Sequence, residues 1–223
     1  MEESLLDDLR LRKVPLVFVD VGPDAPLVST IRIDYQHGIR QAVQHLAAMR
    51  HTRIAFVAGP VNLKSAEARS GAFTHCMEEI GLAVPDKMIV VGDHTMAGGM
   101  RALGDLVKLS PRPTAVVCSN DMSAIGVMRE AYDLGISVPK DLSVIGFDDI
   151  RMSEFMIPPL TTVQMSQSEL ARIAFNALMN AVAHKATVGR RTEYPLSTNL
   201  VLRRSTAVAR SETALSRSSS QVI

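Results

Sequence analysis

Short polar side chains follow several apolar segments of this chain, at positions where a strand would end. Five of them stand at such places, namely Asp20, Asp34, Asp93, Asn120 and Asp148. In an open parallel sheet, the carboxyl ends of the strands form the edge at which ligands bind. Each residue taken singly is more typical of a turn former or a helix cap. Their number nevertheless favours a polar crevice that could accept hydrogen bonds from the hydroxyl groups of a ligand.

Two basic side chains could complete such a crevice. Arg69 stands in the first turns of a predicted helix, and its planar fork of five donors could hold a hydroxyl pair or a carboxylate. His94 follows Asp93 in a loop and could stack on a ligand or hydrogen-bond to it. A surface arginine and an ordinary loop histidine are the alternatives. The other histidines have no metal-like spacing, so no metal site is predicted.

The segment 114–149 contains the elements that would position several of these residues. An apolar strand runs into Ser119-Asn120-Asp121, a helix with apolar residues three and four apart follows, and a second apolar strand ends on Asp148-Asp149. This pattern predicts a βαβ unit with polar groups just past the ends of both strands. Capping of the following helix is the alternative function for Asn120. The adjacent carboxylates are a weak acid/base pair, because neighbours on a turn point apart.

Strands and helices alternate along most of the chain. Strands are predicted near residues 14–20, 28–33, 53–58, 88–91, 115–118, 142–147 and 195–202, and helices near residues 2–12, 36–49, 65–81, 96–109 and 166–184. Continuous apolar strands alternating with helices favour an α/β fold, with parallel sheets covered on both faces. An extended segment at 158–163 is expected to lead the chain back, which predicts two lobes with a cleft between them. The last residues, 207–223, are predicted to be disordered.

Composition excludes several classes of function. The 223 residues are 47% hydrophobic, which is enough for one large or two small domains. Aromatic residues make up only 4% and the formal net charge is +1, so neither a base-stacking surface nor a basic stripe for nucleic acid is expected. No apolar run reaches transmembrane length, and the first residues lack the features of a signal peptide. A cytoplasmic protein with no membrane partner is therefore expected.

Recognisable catalytic and cofactor motifs are absent from the sequence. It has no G-x-S-x-G, H-E-x-x-H, Walker or G-x-G-x-x-G pattern. No enzymatic activity, no catalytic residue and no cofactor are therefore predicted. Cys76 and Cys118 are interpreted as buried or half-buried thiols, rather than a disulfide or metal ligands.

Together these motifs resemble the effector-binding core of the LacI/GalR family of bacterial transcription regulators. The matching segments are Val17 to Asp20, Asp34-Tyr35 with Gly38, His51 to Pro60, Ser65-Ala66 with Arg69, Gly71 and Phe73, Gly92-Asp93, Ser119 to Asp121, Ser143 to Asp149, and Pro158 to Val163. The resemblance covers about residues 4–206. It implies a two-lobed, type I periplasmic-binding-protein-like fold.

The resemblance also implies a division of the chain. Residues 1–34 would form part of the N-terminal lobe, which is truncated at its N-terminus, and 35–160 the C-terminal lobe. Residues 161–194 would return to the first lobe, and 195–206 would supply the last strand of the second. The helix-turn-helix that reads DNA in the family has no counterpart here, so this chain is not expected to bind an operator by itself.

The family's effector contacts correspond to Arg69, Asn120 and Asp148. His94 stands where the family often has an aromatic residue, and Asp34 and Tyr35 match the first crossover between the lobes. The implied function is to sense a sugar or other small polar metabolite, whose binding between the lobes changes lobe closure and the geometry of a homodimer.

Two alternatives remain open at this point. A periplasmic-type sugar-binding protein of an ABC transporter would have the same fold. A small sugar-processing enzyme is disfavoured, because no nucleophile and base stand together.

Overall fold

A computed structural model describes residues 3–183 and 192–210 of the chain. It divides into two compact units, unit 1 (Met1–Asp34 and Met165–Thr198) and unit 2 (Tyr35–Gln164 and Asn199–Ile223). The chain therefore passes between the units three times. The second and third junctions each lie four residues after the boundaries expected at 160 and 194.

Helices and strands alternate as the hydrophobic pattern predicts. In chain order they are α1 (Glu3–Leu11), β1 (Leu16–Val19), β2 (Val28–Ile33), α2 (Tyr35–Ala48), β3 (Ile54–Ala58), α3 (Lys64–Glu79), a short 3-10 helix (Asp86–Met88), β4 (Ile89–Val91), α4 (Met96–Leu106), β5 (Ala115–Cys118), α5 (Asp121–Asp133), β6 (Ser143–Asp148), α6 (Met152–Phe155), β7 (Thr161–Met165), α7 (Gln167–Ala183), β8 (Thr192–Leu196) and β9 (Thr198–Val201). None of the described helices is long and apolar enough to cross a membrane.

Unit 1 is built on a parallel sheet with the strand order β1-β2-β8. Its central strand, β2, is buried from Val28 to Ile31. Leu16 of β1 pairs with Val28, and Thr192 of β8 pairs with Ser29. Helix α7 packs on this sheet and contacts all three strands.

Unit 2 is built on a sheet with the strand order β4-β3-β5-β6-β7-β9, in which β4 to β7 run parallel. From β3 the chain first moves outward to β4 and then crosses back to β5. The direction of winding thus reverses between β3 and β5, and open α/β sheets bind ligands at the carboxyl ends of the strands that flank such a reversal. The predicted α/β class, with parallel sheets flanked by helices, is confirmed.

The core of unit 2 consists of the buried strands and the inner faces of the helices. β3 and β5 are buried along their whole length. Apolar residues spaced three and four apart on α4 and α5, such as Leu103, Leu106 and Ile125, pack against them. Cys76 and Cys118 are both buried, as predicted.

Helices α4 and α5 approach each other closely through two glycines. A Cβ atom on Gly99 would lie 2.1 Å from the carbonyl oxygen of Ser123, and one on Gly126 would lie 2.0 Å from that of Met96. Both distances are far shorter than any ordinary contact, so only glycine allows the two backbones to meet here.

The prediction of one strand over residues 195–202 is wrong. The segment contains two strands, because β8 ends at Leu196 beside β2 while β9 begins at Thr198 beside β7. The alternation of apolar and polar residues continues through both strands. It therefore gives no sign that the chain leaves one sheet and joins another. Helix α6 was also not predicted, because one turn is too short to show a helical period.

The prediction of a disordered tail from residue 207 is wrong for its first four residues. Residues 203–210, here called the C-terminal strap, belong to unit 2 and are hydrogen-bonded to earlier segments of it. The Ala207 carbonyl accepts from His51 Nε2 at 2.9 Å, and the Ala209 amide donates to the Met49 carbonyl at 2.8 Å. Burial lowers the pKa of His51, which favours the neutral ring that this arrangement uses. Residues 211–223 lie outside the described part of the chain.

We expect Gly126→Ala to lower the free energy of unfolding by about 1–3 kcal/mol, because the added methyl group must push α4 away from α5. Urea denaturation measures this change. Gly71→Ala is the matched control, since Gly71 lies on helix α3 with open space around its Cβ position. That substitution should be neutral or stabilising by roughly 0.5–1 kcal/mol. Equal losses for the two variants would contradict the close approach.

Candidate functional site

The guanidinium of Arg69 lies buried at the carboxyl edge of the large sheet. Arg69 is on α3, and only 6% of its surface is exposed. Its Nη1 donates to the Ser119 carbonyl at 2.5 Å, and its Nη2 lies 3.3 Å from Asp148 Oδ1. Its buried Nε has no hydrogen-bond partner among the residues that the structure describes. A buried charge is tolerated only when it is paired and hydrogen-bonded, and here β5 and β6 supply those partners at their ends.

Two aromatic rings also contact this guanidinium. Its Cζ lies 4.1 Å from the ring centroid of Phe147 and 4.9 Å from that of Tyr35. The two rings are themselves 5.7 Å apart. A cation over an aromatic face gains about 0.5–2 kcal/mol, more when the pair is shielded from water. The rings therefore help to compensate the buried charge.

Asp148 ends β6 in a backbone conformation that is unusual for a residue other than glycine. Its φ is 110°, and that of the following Asp149 is 56°. Such conformations cost about 1–3 kcal/mol each and concentrate at ligand sites. Burial raises the pKa of Asp148 from 3.8 to about 6, although the charge of Arg69 acts in the opposite direction. The carboxylate is therefore charged at neutral pH but takes up a proton just below it.

His94 lies between β4 and α4 with a φ of 62°. Its Nε2 lies 2.9 Å from Ser119 Oγ. The ring covers Gly59 so closely that a Cβ atom there would lie 2.1 Å from Nε2. Burial, and then the charge of Arg69, lower the pKa of His94, so its ring is neutral at neutral pH. It can offer one donor and one acceptor nitrogen.

Asn120 is the N-cap of α5. Its Oδ1 accepts from the Ser123 amide at 2.9 Å, and its Nδ2 donates to the His94 carbonyl at 3.0 Å. The capping alternative recognised in the sequence is therefore what the structure shows for this residue. Through its second bond, Asn120 also ties the loop that carries His94 to the start of α5.

The boundary between the two units falls between the sequence neighbours Asp34 and Tyr35. Asp34 follows β2 in unit 1, where its backbone amide donates to the Leu196 carbonyl at 2.9 Å and its carbonyl accepts from Thr198 Oγ1 at 2.6 Å. Tyr35 begins α2 in unit 2. Of the six residues predicted for the site, five lie in unit 2 and form two contacting groups, Tyr35 with Arg69 and Asp148, and His94 with Asn120. Ser119 joins the two groups, because it contacts both Arg69 and His94.

Two further members of this cluster were not predicted. Ser119 accepts from Arg69 through its carbonyl and bonds His94 through its hydroxyl. Phe147 supplies the nearer aromatic face. Only their positions in the sequence, Ser119 just after β5 and Phe147 just before Asp148, could have indicated that they belong to the cluster. An apolar strand residue and a small hydroxyl residue are, however, unremarkable at such places.

The cluster combines fixed donors, an ionised acceptor, a neutral imidazole and aromatic faces. This set can hold the hydroxyl groups of a small polar molecule. Across the described residues, no group of three or more His, Cys, Asp or Glu side chains could hold a metal ion.

Comparison with known proteins gives a consistent assignment. The model of the periplasmic binding protein-like domain matches residues 43–206. The chain is 34% identical to the HTH-type transcriptional repressor PurR of Salmonella arizonae, over 92% of this chain and 59% of that protein. It is 36% identical to the ribose operon repressor of Escherichia coli strain K12, over 78% of this chain and 52% of that protein. The chain thus spans little more than half the length of these curated relatives.

A solved structure shows the same fold. The crystal structure of a LacI family transcriptional regulator from Enterococcus faecium with bound ribose superposes with a TM-score of 0.83. The two sequences are 25% identical, over 94% of this chain and 77% of that one. The resemblance seen in the sequence motifs is confirmed.

We expect Gly59→Ala to displace the His94 ring from Ser119, because the new methyl group would occupy the position of Nε2. The displaced ring would be hydrated, so the pKa of His94 should rise toward its ordinary value. An NMR titration of the histidine ring signals measures this change. The helical Gly71→Ala variant is the control and should leave the His94 titration as it is. An unchanged pKa in Gly59→Ala would contradict the close approach.

The raised pKa of Asp148 predicts a pH dependence of stability. The charged carboxylate disfavours folding above about pH 6, and this penalty fades as the pH falls from 6 toward 3.8, because the folded state gains the proton first. Between about pH 8 and pH 5 we expect the parent to gain stability relative to Asp148→Asn by about 1.4 kcal/mol, because pH 5 lies one unit below the folded-state pKa of about 6.

Urea denaturation at the two pH values measures this difference. Asp105→Asn, which changes an exposed carboxylate on α4, is the matched control for the loss of one charge. An advantage of Asp148→Asn that grows as the pH falls would contradict the sign of the shift.

Proposed function

Because the chain belongs to the family of periplasmic binding protein-like domains, we propose that it is the effector-sensing part of a transcriptional regulator of the LacI/GalR type. The observation that carries the proposal is the buried pair of Arg69 and Asp148. Arg69 also bonds the Ser119 carbonyl just after β5, which flanks the reversal of winding, and both Asp148 and the following Asp149 have positive φ. Such a pair is costly to maintain for stability alone, which favours a binding function.

The effector is a small polar molecule with hydroxyl groups, and a sugar is the best candidate. The free donors of Arg69 and the ionised Asp148 would hold neighbouring hydroxyl groups, while the neutral His94 would add one further hydrogen bond. Tyr35 and Phe147 are buried against the Arg69 guanidinium and help to hold it in place. Asn120 contributes indirectly, by fixing the loop of His94. Two relatives support this choice of ligand, since one is a ribose operon repressor and another was crystallised with ribose.

The output would be a change in the binding of operator DNA by the whole regulator. An effector can shift a conformational equilibrium only by binding one state more tightly than the other. Operator binding, a homodimer and action in the cytoplasm are proposed from the repressors that the chain resembles. No observation on this chain favours the alternative of a transport-binding protein.

We expect Arg69→Lys to weaken sugar binding about ten- to a hundredfold, because lysine keeps the charge but loses the planar fork. Isothermal titration calorimetry with a sugar panel that begins with D-ribose measures the affinity. Arg40→Lys is the matched control, since Arg40 makes an exposed ion pair with Glu79 on the surface of unit 2. Unchanged affinity in Arg69→Lys would remove Arg69 from the site. A parent protein that binds no sugar of the panel would reject the sugar class.

A further inference from the structure

One buried carboxylate in unit 2 lies outside the proposed effector contacts. Asp121 is the first residue of α5 and is fully buried. Its Oδ2 accepts from the Ile150 amide at 2.8 Å and from Ser153 Oγ at 2.7 Å. Its Oδ1 accepts from Thr162 Oγ1 at 2.5 Å. Three donors from three later segments of the chain therefore converge on one side chain.

Asp121 lies against the strand that ends in the effector site. A Cβ atom on Gly146 would lie 2.1 Å from Asp121 Oδ1, so only glycine lets the carboxylate reach this part of β6. Gly146 is two residues before Asp148, and Ile150, whose amide Asp121 accepts, is two residues after it. The carboxylate thus contacts the backbone on both sides of the turn at Asp148 and Asp149.

That turn is the least favourable backbone segment of the site. Both of its residues have positive φ, a conformation that persists only where the surroundings enforce it. Asp149 is held by Arg203, whose Nη2 lies 2.7 Å from its Oδ1, and by Gln164, which donates to its Oδ2 at 2.8 Å. Within residues 3–183 and 192–210, the side chain of Asp148 is held by Arg69 alone, so its orientation depends on the backbone.

We propose that Asp121 is a positioning residue for the effector site. Its carboxylate holds the Ile150 amide and the start of α6, which fixes the turn so that the Asp148 side chain meets Arg69. The effect on effector affinity rests on the proposed function, whereas the effect on the turn does not. A merely structural role would lower stability without changing the conformation of Asp148 and Asp149.

Four variants separate these two roles. Asp121→Ala removes all three acceptor contacts, and Ser153→Ala removes only one of them. Asp121→Asn keeps one oxygen for Ile150 and Ser153, while the Thr162 hydroxyl can turn to accept from the new amide. Ser143→Ala is the matched control, because Ser143 lies at the other end of β6, where its hydroxyl donates to the Ala207 carbonyl and accepts from the Ala207 amide.

The first measurement needs no effector. Backbone NMR chemical shifts report φ, so those of Asp148 and Asp149 should change in Asp121→Ala and, less, in Ser153→Ala. They should stay close to the parent in Asp121→Asn and Ser143→Ala. Because Ser153→Ala removes a single hydrogen bond, it decides the question if Asp121→Ala does not fold. Parent-like shifts in every folded variant that loses acceptor contacts would overturn the proposal.

The second measurement is the affinity for D-ribose, or for whichever sugar of the panel binds the parent, by calorimetry. Asp121→Ala should bind about tenfold more weakly or worse, because a misplaced Asp148 loses its charged hydrogen bond. Asp121→Asn and Ser143→Ala should bind within about twofold of the parent. Equal affinity in Asp121→Ala, with a displaced turn, would overturn the claim of positioning. A parent that binds no sugar would count against the proposed function, and the chemical shifts would still decide the role of Asp121.

Discussion

The burial of one positive charge constrains the arrangement of unit 2 at the carboxyl edge of its sheet. The desolvation cost of burying the Arg69 guanidinium is offset only if several elements bring partners to it at once. The Ser119 carbonyl follows β5, the Asp148 carboxylate ends β6, and the Tyr35 ring begins α2. β5 and β6 are neighbours in the sheet, and β5 flanks the point where its winding reverses. The Arg69 charge can therefore be paired only if the strand order places the ends of β5 and β6 side by side.

Hydrophobic periodicity predicted most of the elements, because it reports which side of a segment is buried. It does not report which neighbour buries that side. This is why the stretch over residues 195–202 was read as one strand, although β8 and β9 belong to different sheets. The same limit applies to residues 207–210, whose backbone groups bond His51 and Met49. Nothing in the sequence of these four residues indicates hydrogen-bond partners that are more than a hundred residues away.

The positions of the candidate site residues were predictable, but their roles were less so. Polar residues at strand ends meet at one edge of a parallel sheet, which is enough to select Asp148. Arg69 is selected for a different reason, its planar fork of donors in the first turns of a helix. Whether such a residue faces a ligand or caps a helix depends on its side-chain torsions. Asn120 turned out to use its amide for capping and for the loop of His94. The need for glycine at positions 59 and 146 likewise cannot be read from the sequence, because the atoms that would clash with a Cβ belong to residues far away in the chain.

The C-terminal strap has a consequence for the order in which the protein is completed. Ser205 Oγ donates to the Val144 carbonyl at 2.6 Å and accepts from the Thr161 amide at 2.8 Å, while the Val144 amide donates to the Ser205 carbonyl. The groups on β6 and β7 that make these bonds are synthesised about sixty and forty residues earlier. Until the strap is synthesised, these backbone groups of β6 and β7 lack their native hydrogen-bond partner. The native hydrogen bonds of β6 and β7 to the strap can therefore form only after the strap has been synthesised, which is later than the strands themselves.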